Sequence, residues 1–224
     1  MTTYKQGFSA PIELETGLNP SGSVIWLHGL GADGHDFEAI VPELGLSSSP
    51  DLRFIFPHAE FRPVTINSGQ VMRAWYDMSF SPQGMGGNAD HMLESESVIR
   101  GLIQQEMDRG IPLERIVLAG FSQGGAVALH TALRHPGPLA GVLALSTYVP
   151  FPELLPADPA FLPIFMAHGT QDPVIPLALA RQGCETLVSL GIPVQWHIYP
   201  MPHSVCDQEI RDISQWIQDL LNNK

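Results

Sequence analysis

The chain has 224 residues, 44% of them hydrophobic and only 15% charged, which predicts one globular domain over residues 1–224 and excludes a disordered chain. Eleven Lys+Arg against 23 Asp+Glu leave a formal net charge of −12, which argues against nucleic acid and anionic membrane surfaces, since both reward clustered positive charge. Two cysteines, Cys184 and Cys206, are too few for a disulfide scaffold. The first residues carry no basic segment followed by an apolar run, and no stretch reaches the roughly 20 apolar residues of a membrane span. These features predict a cytoplasmic protein without membrane insertion.

In chain order, residues 12–15 (Ile-Glu-Leu-Glu) alternate as an edge strand with one wet face does. Short apolar runs follow at 24–27 and 54–56. Residues 62–88 read as a long irregular excursion, rich in Gly and Met, that could wall a pocket. A helical pattern covers about 89–109, with Met92, Val98, Ile99, Leu102, Ile103 and Met107 near a 3.6-residue period, and Gly110 and Pro112 close it. A strand pattern at 116–119 leads into a helix over about 122–135, stopped by Pro136-Gly137-Pro138. Strands at 142–145, 164–167 and 194–198 then alternate with helices over about 177–190 and 207–222. Strands apolar on both faces, interleaved with helices, predict an α/β fold with a mostly parallel sheet.

The run Ala119-Gly120-Phe121-Ser122-Gln123-Gly124-Gly125 contains Gly-x-Ser-x-Gly directly after a strand and directly before a helix. That context is a nucleophile elbow, a turn so tight that Cβ atoms at 120 and 124 would collide with its surroundings. It lifts the serine above the sheet, and the helix N-terminus offers backbone N–H groups to an oxyanion. The serine requires a base, and the base an orienting acid, in the chain order Ser, Asp, His. Asp172, in His168-Gly169-Thr170-Gln171-Asp172-Pro173, and His203, in Pro202-His203-Ser204, both follow strands at their carboxyl ends, as Ser122 does.

Rivals fit less well. Asp158 lies in a Pro-rich excursion before its strand. His168 precedes Asp172 and reads as a structural histidine. His197 sits inside a strand, and His130 and His135 read as helix-surface or helix-end residues. His28, Asp33 and His35 are close in sequence but lack metal-ligand spacing, so no metal is expected. The glycine-rich His28-Gly29-Leu30-Gly31-Ala32-Asp33-Gly34 follows the first central strand. Its Leu30 and the post-nucleophile Gln123 are the expected oxyanion donors, each through its backbone N–H.

These segments, with Arg73-Ala74-Trp75-Tyr76-Asp77 and His168-Gly169-Thr170-Gln171-Asp172-Pro173-Val174-Ile175-Pro176, resemble the phospholipase/carboxylesterase family of α/β-hydrolases, which includes acyl-protein thioesterases. Gln171 before Asp172 departs from the acidic-loop pattern the family often shows. The resemblance spans about residues 10–220. It implies an α/β-hydrolase fold without a large cap domain, a triad of Ser122, Asp172 and His203, and oxyanion donors at Leu30 and Gln123. It further implies a serine esterase without cofactor, acting on carboxylic esters, acyl thioesters of proteins or lysophospholipids. Candidates for acyl contact are Leu30, Trp75, Met78, Phe80, Tyr148, Val149 and Phe151. A homodimer through apolar loop residues is compatible with the sequence but not demanded by it.

Two alternatives stand beside this reading. A peptidase or lactone hydrolase would change the bond cleaved, although Ser122 stands where dienelactone-type enzymes have cysteine and no propeller or cap is present. A non-catalytic hydrolase-fold binding protein would usually lack a triad member, and here all three positions are filled.

Overall fold

The computed structural model describes residues 9–46, 50–81, 84–156, 158–159 and 161–222, with the side chains of 80, 81 and 84 left out. Phe80, named above for acyl contact, therefore has its side chain outside the described residues. The elements in order are β1 (Ile12–Glu15), β2 (Gly22–Leu27), α1 (Ile40–Glu43), β3 (Leu52–Phe56), β4 (Phe61–Val64), β5 (Gln70–Arg73), β6 (Met78–Ser81) and β7 (Gly84–Gly87). Then come α2 (Ala89–Asp108), β8 (Ile116–Phe121), α3 (Gln123–Leu133), β9 (Gly141–Leu145), β10 (Ile164–Gly169), α4 (Leu177–Ser189), β11 (Val194–Tyr199) and α5 (Asp207–Asn222).

Seven strands form one sheet in the order β1-β3-β2-β8-β9-β10-β11. All pairings are parallel except β1 with β3. The central strands β2, β9 and β10 are buried along their whole length, which is why they read as continuous apolar runs rather than alternating ones. At the edge, β1 half-buries Ile12 and Leu14 and leaves Glu13 and Glu15 exposed. Those two carboxylates pair with Arg109 and Arg53.

Each face of the sheet carries its own core. On one, Met92, Ile99, Leu102 and Ile103 of α2, the small residues of α3, and Ala180 and Leu187 of α4 pack on Ile25, Leu118 and Val142. On the other, Ile213, Trp216, Ile217 and Leu221 of α5 and Ile40 of α1 cover Val24, Phe54, Val117 and Phe165. The predicted helices and strands stand within a residue or two of their expected ends, and the helix after the elbow begins at Gln123 rather than Ser122.

Two expectations are corrected. The 62–88 excursion is not irregular, because β4 pairs antiparallel with β5, and β6 with β7, as two hairpins. Pro63 inside one strand and three glycines in and around another hid them, since both residue types depress strand propensity. His130 is not on the helix surface either. It is 1% exposed, with Nε2 3.1 Å from Glu96. Although burial would push the Glu96 carboxyl up, bonds from His130 and Arg134 pull it down to about 2.

Candidate active site

Between β8 and α3 the chain turns at Ser122 with φ 54° and ψ −120°, a conformation that costs a non-glycine residue of order 1–3 kcal/mol. The flanking glycines permit it. A Cβ at Gly120 would lie 2.3 Å from the carbonyl carbon of Gly124, and one at Gly124 would lie 2.4 Å from the Leu27 oxygen. The Ser122 N–H donates to the Leu145 carbonyl at 2.8 Å, and Thr147 Oγ1 donates to the Ser122 carbonyl at 2.7 Å. The strained turn is thus clamped by β9 and the residues just past it.

His203 Nε2 stands 3.0 Å from Ser122 Oγ, and its Nδ1 stands 2.7 Å from Asp172 Oδ2. An ionised carboxylate can only accept, so Nδ1 carries the proton and Nε2 faces the hydroxyl with its lone pair. The Asp172 side chain is completely buried. Its Oδ1 accepts from the N–H groups of Val174 and Ile175 at 2.8 and 2.9 Å, which fix the carboxylate's orientation. The loops carrying the two residues are joined by backbone bonds from Thr170 N–H to the Tyr199 carbonyl and from Gln171 N–H to the Met201 carbonyl. A Cβ at Gly169 would meet the Met201 oxygen at 2.3 Å, so only glycine lets these loops close. The His203 ring packs on Phe121 with centroids 4.7 Å apart.

His168 takes the structural position expected for it. It is fully buried, its Nε2 lies 2.9 Å from the Ile175 carbonyl and 3.4 Å from Asp172 Oδ2, and burial lowers its pKa. Asp158 is not brought to Ser122, His203 and Asp172 and lines a separate groove of about 520 Å³ beside Arg134 and Pro138. Among the described residues, no group of three or more His, Cys, Asp or Glu could hold a metal ion.

The loop after β2 reaches the serine from the other side. A Cβ at Gly29 would sit 3.6 Å from the Ser122 Cβ, so Leu30 follows directly on a residue packed against the elbow. Gln123 is the first residue of α3, and N–H groups in a helix's first turn have no intrahelical acceptor. His28, behind this loop, is held neutral. Burial lowers its pKa to about 4, and its Nε2 accepts from the Ala59 N–H at 3.0 Å.

An apolar cavity of about 290 Å³ opens onto Ser122 and His203. Leu30 and Met78 line it, as do Ile66 and Met85 from the 62–88 stretch read as a pocket wall; Phe121, Val174 and Ile175 also line it and were not singled out for acyl contact. Phe121, Val174 and Ile175 lie within three residues of Ser122 or Asp172, a proximity the sequence did display. Tyr148, Val149 and Phe151 do not line this cavity. They wall a smaller one of about 180 Å³ that shares Met85 with it. The Tyr148 hydroxyl is buried 2.8 Å from that of Tyr76, and burial pushes Tyr148 up to about 12. Trp75 lines neither cavity. It is 0% exposed, and its indole N–H is turned inward onto the His28 carbonyl at 2.9 Å.

No helix among the described residues is long and apolar enough to cross a membrane. The phospholipase/carboxylesterase family model matches residues 14–221. Acyl-protein thioesterase 1 of Neurospora crassa is 39% identical over 215 residues, covering 90% of this chain and 87% of that protein. Acyl-protein thioesterase 1 of Cryptococcus neoformans is 37% identical over 222 residues, covering 90% and 93%. The crystal structure of Arabidopsis thaliana SOBER1 superposes with a TM-score of 0.82 at 32% identity, covering 89% of this chain and 99% of that one. With its cap-less parallel sheet and strand-turn-helix serine, the chain belongs to the phospholipase/carboxylesterase family of α/β-hydrolases, as a serine hydrolase of the esterase and thioesterase type.

Proposed function

We propose that Ser122, His203 and Asp172 are the catalytic triad of a carboxylic ester and acyl thioester hydrolase working through an acyl-enzyme. The observation that carries this reading is the unbroken relay from Ser122 Oγ through the His203 ring to Asp172, with contacts of 3.0 and 2.7 Å. His203 Nε2 takes the hydroxyl proton as Oγ attacks the acyl carbonyl. The backbone N–H groups of Leu30 and Gln123 hold the resulting oxyanion. His203 then protonates the leaving alcohol or thiol, and water, activated by the same ring, releases the acid. Asp172 holds the imidazole in the productive tautomer and stabilises it once it is charged.

The acyl group occupies the cavity of about 290 Å³. Its Met78, Met85 and Ile66 can adapt their side chains to an alkyl chain. The likeness to acyl-protein thioesterases supports acylated proteins as substrates, with small carboxylic esters and lysophospholipids as the chemically equivalent alternatives. The site requires no cofactor for this chemistry.

A fluorophosphonate probe tests the reading. It is expected to label wild-type protein at Ser122 and to leave Ser122→Ala unlabelled. Folded, ester-cleaving protein that resists the probe would refute it. A panel of esters and thioesters of increasing chain length is expected to show a preference; a flat, near-zero response would point to another bond type.

A further inference from the structure

The hydrogen bonds of the segment Arg73-Ala74-Trp75-Tyr76 reach both the loop and the helix start assigned to the oxyanion. The Trp75 indole N–H donates to the His28 carbonyl at 2.9 Å. The Trp75 backbone N–H donates to Gln123 Oε1 at 2.8 Å, and Gln123 Nε2 donates to the Tyr76 carbonyl at 2.8 Å. The Gly31 N–H donates to the Arg73 carbonyl at 2.9 Å. Resting on the oxyanion assignment above, we infer that this segment is a strap that sets the spacing and direction of the Leu30 and Gln123 N–H groups, with Trp75 as its positioning residue.

Peptide geometry gives the reason. The Gly29 carbonyl and the Leu30 N–H belong to one planar, trans peptide and point in opposite directions. His28 Nε2 accepts from Ala59, so Nδ1 bears the ring proton and donates to the Gly29 carbonyl at 2.7 Å. That bond fixes the direction of the Leu30 N–H. The preceding peptide is fixed by the Trp75 indole, and the following residue by Arg73.

Arg73 is itself anchored, with Nη1 donating to the Ala59 carbonyl at 2.7 Å. Ala59 therefore ties His28 and Arg73 together. On the far side, the Gln123 side chain grips Trp75 and Tyr76 as a two-point clamp. The strap is held from behind by Ser95 Oγ, which donates to the Trp75 carbonyl at 2.6 Å. Trp75, Tyr76 and Gln123 are all buried. Water therefore does not compete for these bonds, and a missing partner leaves an unpaired polar group.

The test compares Trp75→Phe, which removes the indole donor, with Gln123→Met, which removes the side-chain clamp and keeps the backbone N–H. Rates are expressed per folded molecule on one ester, beside the affinity of an alkyl trifluoromethyl ketone, whose adduct with the serine places an oxyanion. Because a misplaced donor loses much of its effect, kcat is expected to fall roughly 10- to 100-fold. KM is expected to stay within about twofold, ketone affinity to fall in step with kcat, and the pH midpoint of kcat/KM to stay in place. Should Trp75→Phe fold poorly, Gln123→Met decides alone. A kcat within threefold of wild type, or a fallen kcat with unchanged ketone affinity, would overturn the strap. Ser122→Ala separates the two levels: its loss of turnover with indifferent strap variants leaves the triad standing and removes the strap alone. Hydrolysis retained in Ser122→Ala would remove both.

Discussion

The two sides of the cavity are built on different principles. The serine side is rigid and polar, and its geometry is forced by backbone. Gly120, Gly124 and Gly169 each leave room where a Cβ would stand 2.3 or 2.4 Å from a main-chain atom, and the Ser122, His203 and Asp172 contacts run within 3.0 Å. The opposite side is supplied by Ile66, Met78 and Met85, carried on or between two short hairpins. Those residues contribute shape and no directional bonds. On the proposed mechanism, one side sets which bond breaks and the other which acyl group enters, so substitutions on the two should separate cleanly.

The largest effects are expected on the serine side. His203→Ala removes the base, and kcat is expected to fall roughly 10⁴-fold or more while the thermal midpoint stays near that of wild type. Steady-state rates with a fluorogenic ester check this, and near-full activity would place the base elsewhere. Asp172→Asn should cost roughly 10⁴-fold, because an amide N–H facing Nδ1 favours the wrong tautomer of His203. Gly124→Ala should fail differently, losing the folded elbow together with activity, which circular dichroism and melting would reveal.

On the acyl side the effects are smaller and change sign with substrate. Met85→Ala enlarges the junction of the two cavities that Met85 separates. It should raise the preferred chain length while changing kcat/KM on short esters by only about 10-fold. Profiles over a chain-length series would show it, and a uniform drop across all lengths would mean that Met85 serves the serine side instead.

The last effect is on stability against pH. Glu209 lies at the start of α5, six residues after His203, and burial pushes its carboxyl up to about 8. The folded state keeps that proton while the unfolded state releases it near 4.5. Stability should therefore fall as pH rises from about 4.5 to about 8 and then level off. Glu209→Gln should flatten that decline in urea-unfolding midpoints.

What was legible in the sequence follows the same division. Strands apolar on both faces and helices of clear period declared themselves, and so did the meeting of Ser122, Asp172 and His203, because local sterics and chain order constrain it. The hairpins were hidden by Pro63 and the glycines. Trp75 read as a cavity wall because an aromatic residue in a loop does not reveal whether it faces a ligand or the core. Trp75 turns inward to bond the His28 carbonyl. The Gln123 clamp joins residues 48 positions apart, a relation that no local pattern encodes. His130 was misplaced for the same reason, since its partner Glu96 lies on another helix.

The proposed mechanism turns on a covalent acyl-enzyme at Ser122. Acid-quenching a slowly deacylating ester during turnover, followed by peptide mass mapping, tests it most directly. The acyl mass is expected on the peptide containing Ser122 and is expected to be absent in Ser122→Ala. Active protein with no adduct, or with the acyl group on another residue, would contradict it.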